Sequence, residues 1–419
     1  MILTSLVLLL LAMLGAPLFA IIGAGALLGY SRAEVDLTAV PIEIFGIAET
    51  PILLAIPLFT FAGYVLSESQ AAARLVRLSS ALLGWLPGGL AMVAVATCSL
   101  FTAFTGGSGV TIIAIGALLF PALIQAGYGE RFTLGLVTSS GSLGLLFAPS
   151  LPLIIYGIIA EVSVDSLFVA GIVPGVLMML ALAAFCLWHN RRNRRPLAEF
   201  SWAEVRGAIR AAAWELPLPL VVLGGIYSGY FAVSEAAAVT VVYVLVVELF
   251  IYREVPFHRL AAIVRDSMVL VGGILLILGI SLASTNYMID AGVPQQLIEL
   301  VTRYVSSQTS FLLLLIVFLM LIGCILHIFS ALVLVVPLML PVAAQYGIDP
   351  IHLGIIFVAT MELGYLLPPI GLNLYIASYR FGRPVLDVCL ATVPFILILL
   401  GAVLLITFLP SLSLWLVER

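Results

Sequence analysis

The sequence predicts an all-α polytopic membrane protein built as an inverted-topology repeat, with two re-entrant hairpins and two broken helices. Three observations carry this. The 419-residue chain is 63% hydrophobic and only 9% charged, with a mean hydropathy of +1.27, whereas a soluble domain carries about 25% charged residues. Landmarks in the first half recur in the second at an offset of 220 positions. In each copy, helix-breaking residues interrupt apolar runs at two places that need to remain inside the bilayer.

A transmembrane helix needs about 20 mostly apolar residues. Such runs recur from Leu3 to Leu416 with few long polar gaps, which favours one integrated bundle and leaves no room for a soluble enzymatic domain. The first run, ILTSLVLLLLAMLGAPLFAIIGAGALLGY, is longer than a signal-peptide core and lacks a charged leader, so it reads as a retained span. Cys98, Cys186, Cys324 and Cys389 all lie in apolar runs without close pairing and read as buried small hydrophobes.

The repeat follows from an ordered series of matches. Pro121, Gln125 and Gly127 meet Pro341, Gln345 and Gly347; Leu143, Gly144 and Pro149 meet Leu363, Gly364 and Pro369; Val173 and Pro174 meet Val393 and Pro394. Orientation follows from charge. All basic residues are arginine, and the run HNRRNRR, His189 to Arg195, followed by an amphipathic stretch with Arg206 and Arg210, marks the cytoplasmic side. Threading outward from that loop puts 14 of the 17 arginines inside, leaving Arg32, Arg303 and Arg419 outside. Residues 160 to 163 then face out while their mates, Arg380 to Arg383, face in, so the copies are inverted, as in many secondary transporters. The expected units are 1–195 and 234–419, joined by an amphipathic segment and linker span at 196–233. The stretches SESQAAARLVRLSSALLGWL and DAGVPQQLIELVTRYVSS occupy matching places and read as interfacial helices that anchor a rigid frame.

The breaks carry the chemistry. FTAFTGGSGVT, Phe101 to Thr111, has too many glycines to stay helical at about 1 kcal/mol each, yet its flanks are too short to span separately. A hairpin that dips to the midplane and returns satisfies both constraints. Backbone opened at Gly106 and Gly109, with the hydroxyls of Thr105, Ser108 and Thr111, supplies hard oxygen ligands for a cation such as sodium, and the helix start behind the turn suits an anionic substrate. GCILHIFSAL, Gly323 to Leu332, is the matching turn. The proline breaks, Leu145 to Pro152 and Leu366 to Asn373, split two further spans into half-helices with polar ends at mid-membrane.

Three ionisable residues fall at membrane depth: Glu362, His327 and Glu235. Glu362 lies two residues before Gly364 and His327 at the expected tip of the second hairpin, so the two are expected to face one cavity, as a proton-sensitive pair or part of a cation site. A neutral His327 satisfied by a carbonyl stays open as the alternative. Ser234 and Glu235 also read as an ordinary helix start at the outer surface. The chain has no G-x-x-x-x-G-K-[ST] loop, no H-E-x-x-H and no Cys/His cluster.

The segments GGIYSGYFAVSEAAAVTVVYVL, YGIDPIHLGIIFVA and LPPIGLNLYIAS, with GGSG, FPALIQAGYG and FAPSLPLIIYG in the first copy, resemble the large membrane subunit of tripartite ATP-independent periplasmic (TRAP) transporters across essentially the whole chain. The resemblance implies an elevator fold and a sodium-driven importer of small organic acids, C4-dicarboxylates or related carboxylates. It implies a bacterial inner membrane, a small four-span membrane subunit and a periplasmic binding protein as partners, sodium as coupling ion, and no other cofactor, transition metal or nucleic acid. Carried over, one sodium site draws on Ser108 and nearby backbone with Pro149 and Ser150, to which the reading of the residues adds Thr105, Gly106, Gly109, Thr111 and Ser142. The other draws on Ser330 with Gly371 and Asn373, to which the reading of the residues adds His327, Glu362, Gly364 and Pro369, with Ser139, Ser140 and Thr360 along the substrate path. The chain departs from the family pattern at Ala148, where a double proline is usual, at His327, where an acidic or small polar residue is expected, and at Glu362. Two other readings remain: a stand-alone sodium- or proton-coupled carboxylate symporter, and a membrane-embedded enzyme or non-transporting scaffold.

Overall fold

A computed structural model describes residues 7–8, 10–11, 14–48, 50–86, 88–190 and 200–417. Every regular element among them is helical. Eight helices are long and apolar enough to cross a membrane, and one further pair, Glu130–Leu146 with Leu151–Ala160, meets at a 44° bend.

Helices α1 (Leu18–Arg32) and α2 (Ala39–Ala48) lead through a 3-10 turn at Pro51–Leu54 into α3 (Ala55–Glu68). The run predicted as one span from residue 2 to residue 30 is therefore interrupted: α1 begins only after Pro17, whose ring cannot continue a helix. Residues 1–6, 9, 12 and 13 of that run lie outside the described residues, as do Arg191 to Arg195 of the basic loop. The amphipathic α4 (Ala71–Leu83) precedes a helical hairpin, α5 (Gly89–Thr105) and α6 (Ser108–Gln125). Next come α7 (Glu130–Ser140) with a 3-10 turn at Leu143–Leu146, then α8 (Leu151–Ala160) and α9 (Val164–Asn190). Two connecting helices follow, α10 (Trp202–Ala211) and α11 (Pro217–Tyr227).

The second half runs through α12 (Val233–Leu245), extended by a π-turn at Val246–Ile251, to α13 (Phe257–Asp290), whose 34 residues measure about 50 Å at ~1.5 Å each. Then come α14 (Val293–Tyr304), the hairpin α15 (Gln308–Ile325) and α16 (Ile328–Gln345), and finally α17 (Pro350–Gly364), α18 (Leu372–Phe381), α19 (Val385–Phe408) and α20 (Ser411–Leu414). Helices α6 and α16 begin and end 220 positions apart.

Packing interlocks the halves. The second arm of each hairpin lies against the half-helix behind the other copy's break, α6 on α18 and α16 on α8. Helix α13 packs along α1, α2 and α3 and also meets α16. Cys98, Cys186 and Cys324 are buried as expected, Cys389 is partly exposed, and all four are free thiols.

An ionic node joins α4 to the connecting segment and to the end of α12. The Arg74 guanidinium meets Glu215 through Nε, Glu254 through Nη1 at 2.5 Å and Glu248 through Nη2 at 3.4 Å. It also lies 3.9 Å from the centre of the Tyr252 ring. Glu248 is fully buried, and its second oxygen has no partner. Further along α4, Arg77 bonds Glu204 at 2.8 Å and holds that exposed carboxyl below its usual range.

Candidate functional site

The two hairpin turns differ in chemistry. Gly106 closes α5 with φ of +67°, a conformation that favours glycine, and Gly107 then opens α6 from an extended backbone. The second turn, Leu326 and His327, is extended at both residues and needs no glycine.

Both turns reach one cavity of about 170 Å³. The first hairpin contributes residues 105 to 110 and the second His327, Ile328 and Phe329. The segments at the breaks add Leu145, Tyr365, Leu372 and Ile376, while Tyr64 of α3 and Leu270 of α13 close the far wall. His327 is exposed to this space, whereas Glu362, expected to share it, is absent from the wall. The end of α17 separates them: Tyr365, just past the last helical residue Gly364, reaches the cavity, while Glu362, still inside the helix, packs into the protein with 1% exposure. Tyr365 also fixes the second turn, its hydroxyl accepting the Ile328 N–H at 2.5 Å.

Behind the first turn is a hydroxyl relay. Thr102 Oγ1 donates to the Gly141 carbonyl at 2.7 Å and lies 2.6 Å from Thr111 Oγ1. Sequence reasoning missed Thr102, although it lies one turn before Thr105 in the same motif. Thr105 and Ser108 line the cavity, and the Thr105 hydroxyl donates to the Phe101 carbonyl at 2.9 Å. At the first break Ala148–Pro149 is a cis peptide, and the Ser150 hydroxyl donates to the Leu145 carbonyl. Ser140 bonds the Leu136 carbonyl at 2.7 Å, while the hydroxyls of Ser139 and Ser142 are buried without partners.

The second break mirrors this with a cis peptide at Pro368–Pro369. Asn373, in the first turn of α18, is fully buried with both amide atoms unpartnered, as are both Glu362 oxygens and the Thr360 hydroxyl. Each such buried group costs about 1–3 kcal/mol if left unsatisfied. Ser330 is half-buried in the first turn of α16. Gly364 has a steric role instead: a Cβ there would lie 2.6 Å from the Gly323 Cα, so α15 and α17 touch backbone to backbone. Gly109 faces Ile376, and Gly371 folds against the Leu367 and Tyr365 carbonyls.

Hydroxyl, amide, carboxylate and carbonyl oxygens are the donors that hard cations take. Among the described residues no cluster of His, Cys, Asp and Glu fits a transition metal. Glu235 sits in the helix start foreseen as one reading, its carboxylate accepting the Ala232 N–H at 3.0 Å. His352 is satisfied in the core by Ser413 at 3.1 Å and the Thr407 carbonyl at 3.3 Å. A larger apolar groove of about 540 Å³ runs along α12, away from both breaks.

Comparison with known proteins agrees with this architecture. Residues 2–412 match the family model described as "Tripartite ATP-independent periplasmic transporter, DctM component". The chain is 35% identical over 380 residues to the C4-dicarboxylate TRAP transporter large permease protein DctM of Pseudomonas aeruginosa, covering 90% of this chain and 89% of that one. It is 33% identical to the ectoine/5-hydroxyectoine TRAP transporter large permease protein UehC of Ruegeria pomeroyi, covering 99% and 97%. Among solved structures, the Alcanivorax borkumensis YdaH transporter shares the fold, with a TM-score of 0.64 at 16% identity over 89% of this chain and 88% of that one. A multi-pass helical chain with paired breaks around one cavity, matched almost end to end by this family, is a transport subunit and not an enzyme: it belongs to the DctM family, the large permease components of TRAP transporters.

Proposed function

We propose that this permease is a sodium-coupled importer of a small organic acid, working by an elevator movement. The observation that carries the reading is the cavity itself, where both hairpin turns and both breaks meet Tyr64 and Leu270 of the surrounding helices. In this reading the two hairpins are re-entrant, and together with the broken helices they move as one body. Helices α1–α3 and α11–α13 hold still, with α4 and α14 as arms. The units 1–195 and 234–419 are inverted repeats joined by 196–233, a reading supported by α6 and α16 lying 220 positions apart at both ends. The moving body carries the unpartnered oxygens of Ser139, Ser142, Thr360, Glu362 and Asn373 as candidate ion ligands. Thr105 and Ser108 at the cavity wall, and the helix starts behind each turn, face the substrate.

The partners in this reading are a small four-span membrane subunit and a periplasmic binding protein, assembled at the bacterial cytoplasmic membrane. The related permeases serve C4-dicarboxylate and ectoine systems, which supports a small polar substrate without fixing which. The test is uptake of labelled organic acid into sealed vesicles holding both membrane subunits, with the binding protein outside and a sodium gradient imposed. Accumulation that needs both the gradient and the binding protein is expected. Uptake that proceeds without the binding protein points to a stand-alone symporter, and no accumulation under any gradient rejects the reading.

Two substitutions probe the ion sites. Asn373→Ala is expected to raise the sodium concentration for half-maximal uptake about tenfold, the equivalent of ~1.4 kcal/mol; an unchanged sodium curve removes Asn373 from the site. Glu362→Gln is expected to alter the sodium or pH dependence of transport while the protein still folds, because the amide keeps the carboxylate's shape. Wild-type curves for both ions place Glu362 off the ion path.

A further inference from the structure

We infer that Gly63 of α3 is a positioning residue that selects the conformation seen here: it is the notch in the stationary frame where the first hairpin turn comes to rest. This rests on the elevator reading above, in which α3 stands still and the hairpins move. A Cβ at Gly63 would lie 2.8 Å from the Thr105 Cα, 2.9 Å from the Phe104 carbonyl oxygen and 3.1 Å from the Thr105 carbonyl oxygen. All three are backbone atoms at the end of α5, so the frame and the turn meet main chain to main chain. Phe59 and Leu66, one turn to either side on the same face of α3, are both buried, and they make the glycine a gap between two bulky neighbours.

The turn is braced and cannot give way locally. The Thr105 hydroxyl donates to the Phe101 carbonyl at 2.9 Å, Thr102 donates to the Gly141 carbonyl at 2.7 Å, and Leu151 packs against Gly106, where a Cβ would lie 2.8 Å from its Cδ1. A methyl group at position 63 therefore pushes the hairpin and the first break away from α3 together. Tyr64, the next residue, lines the cavity with Thr105, so the same contact sets how closely the frame closes that side of the site. Gly63 lies about 8 Å from the end of α3 at Glu68, at ~1.5 Å per residue. Glu68 in turn bonds Arg259, in the first turn of α13, at 2.9 Å. With the arginine-rich side cytoplasmic, the contact belongs to the cytoplasm-facing end of the movement.

The test is double electron–electron resonance on the full-length permease in lipid nanodiscs, with the partly exposed Cys389 replaced by serine. Spin labels are placed through His258→Cys on α13 and Tyr379→Cys on α18, both exposed, one in the frame and one in the moving body. The wild type is expected to show two distances whose ratio differs between sodium-free and sodium-saturated samples. Gly63→Ala is expected to lower the share of the distance seen in this structure about tenfold relative to the other. Gly46→Ala on α2, where a Cβ meets nothing within 4 Å, should leave the ratio unchanged. Adding Leu151→Val to Gly63→Ala trims the side chain that braces the turn and should recover part of the ratio; it also supplies a second variant where Gly63→Ala alone does not fold. A wild-type ratio in Gly63→Ala, whatever its melting temperature, overturns the inference, as does a double variant that recovers nothing. Failure of both variants to fold overturns it too, because Gly63 is then a packing position of the core. A wild type that keeps one distance in both samples overturns the elevator reading together with this one, a result distinct from an unchanged ratio confined to the variant.

Discussion

Alanine at Gly364 is expected to abolish transport and to lower the melting temperature of the purified protein, although it adds a single methyl group. That methyl would sit 2.6 Å from the Gly323 Cα and 2.8 Å from its carbonyl carbon, far inside the 3.4–4 Å of ordinary contact. Both obstacles are backbone on α15, so no rotamer change makes room, and overpacking of this kind costs about 1–3 kcal/mol or more. Gly144, the mate of Gly364 across the repeat, is as tightly held: a Cβ there would meet the Ser99 carbonyl oxygen at 2.3 Å and the Ala103 nitrogen at 2.6 Å. Gly144→Ala should therefore behave alike. Gly109→Ala is the control, because its close neighbour at 2.6 Å is the terminal methyl of Ile376, which can swing aside. Melting curves of the three variants in detergent decide the matter; Gly364→Ala melting with the wild type would refute the backbone contact.

Arg74→Met should be the most damaging change outside the cavity. It leaves Glu215, Glu248 and Glu254 facing one another with no cation, and Glu248 is fully buried. Removing one partner of a buried ion pair costs about 3–5 kcal/mol. Lysine should rescue only partly, because the guanidinium meets the three carboxylates through three different nitrogens and an ammonium cannot span them. The diagnostic result is the double variant: Glu215→Gln in the Arg74→Met background should recover part of the lost stability, since it removes a carboxylate left beside the other two without its cation. If the second substitution restores nothing, the node is not electrostatic in origin.

How much of this was legible in the sequence depends on whether the cause was local. Pro149, Pro369 and the Gly106 turn announce their breaks, because proline and glycine alter the backbone wherever they stand. The second hairpin turn contains neither at Leu326 and His327 and was visible only through the 220-residue offset. Thr102 escaped because a threonine in an apolar helix ordinarily bonds the carbonyl one turn back, as Thr60 bonds Ile56; its partner Gly141 lies 39 residues away. The Arg74 node escaped for the same reason, since Arg74 and Glu254 are 180 positions apart and each alone reads as an interfacial charge. The expectation that Glu362 and His327 share a cavity failed because α17 ends at Gly364 and the residue just beyond it, Tyr365, reaches the wall instead, which spacing along the chain did not resolve.

The crossed packing of the hairpins also constrains how the protein is made. Helix α6 lies against α18, and α18 leaves the ribosome only when residues 372–381 have been synthesised. At ~5–20 residues per second, the first hairpin waits roughly 10–50 s before its partner exists. Through that interval the first hairpin lacks the α18 surface it packs against, so a nascent Gly109→Cys chain, whose substituted position faces Ile376, should remain open to labelling and close only when synthesis is nearly complete. Labelling of ribosome-arrested chains of increasing length would show that closure as a step, and early protection would place the waiting hairpin in the care of some other membrane component.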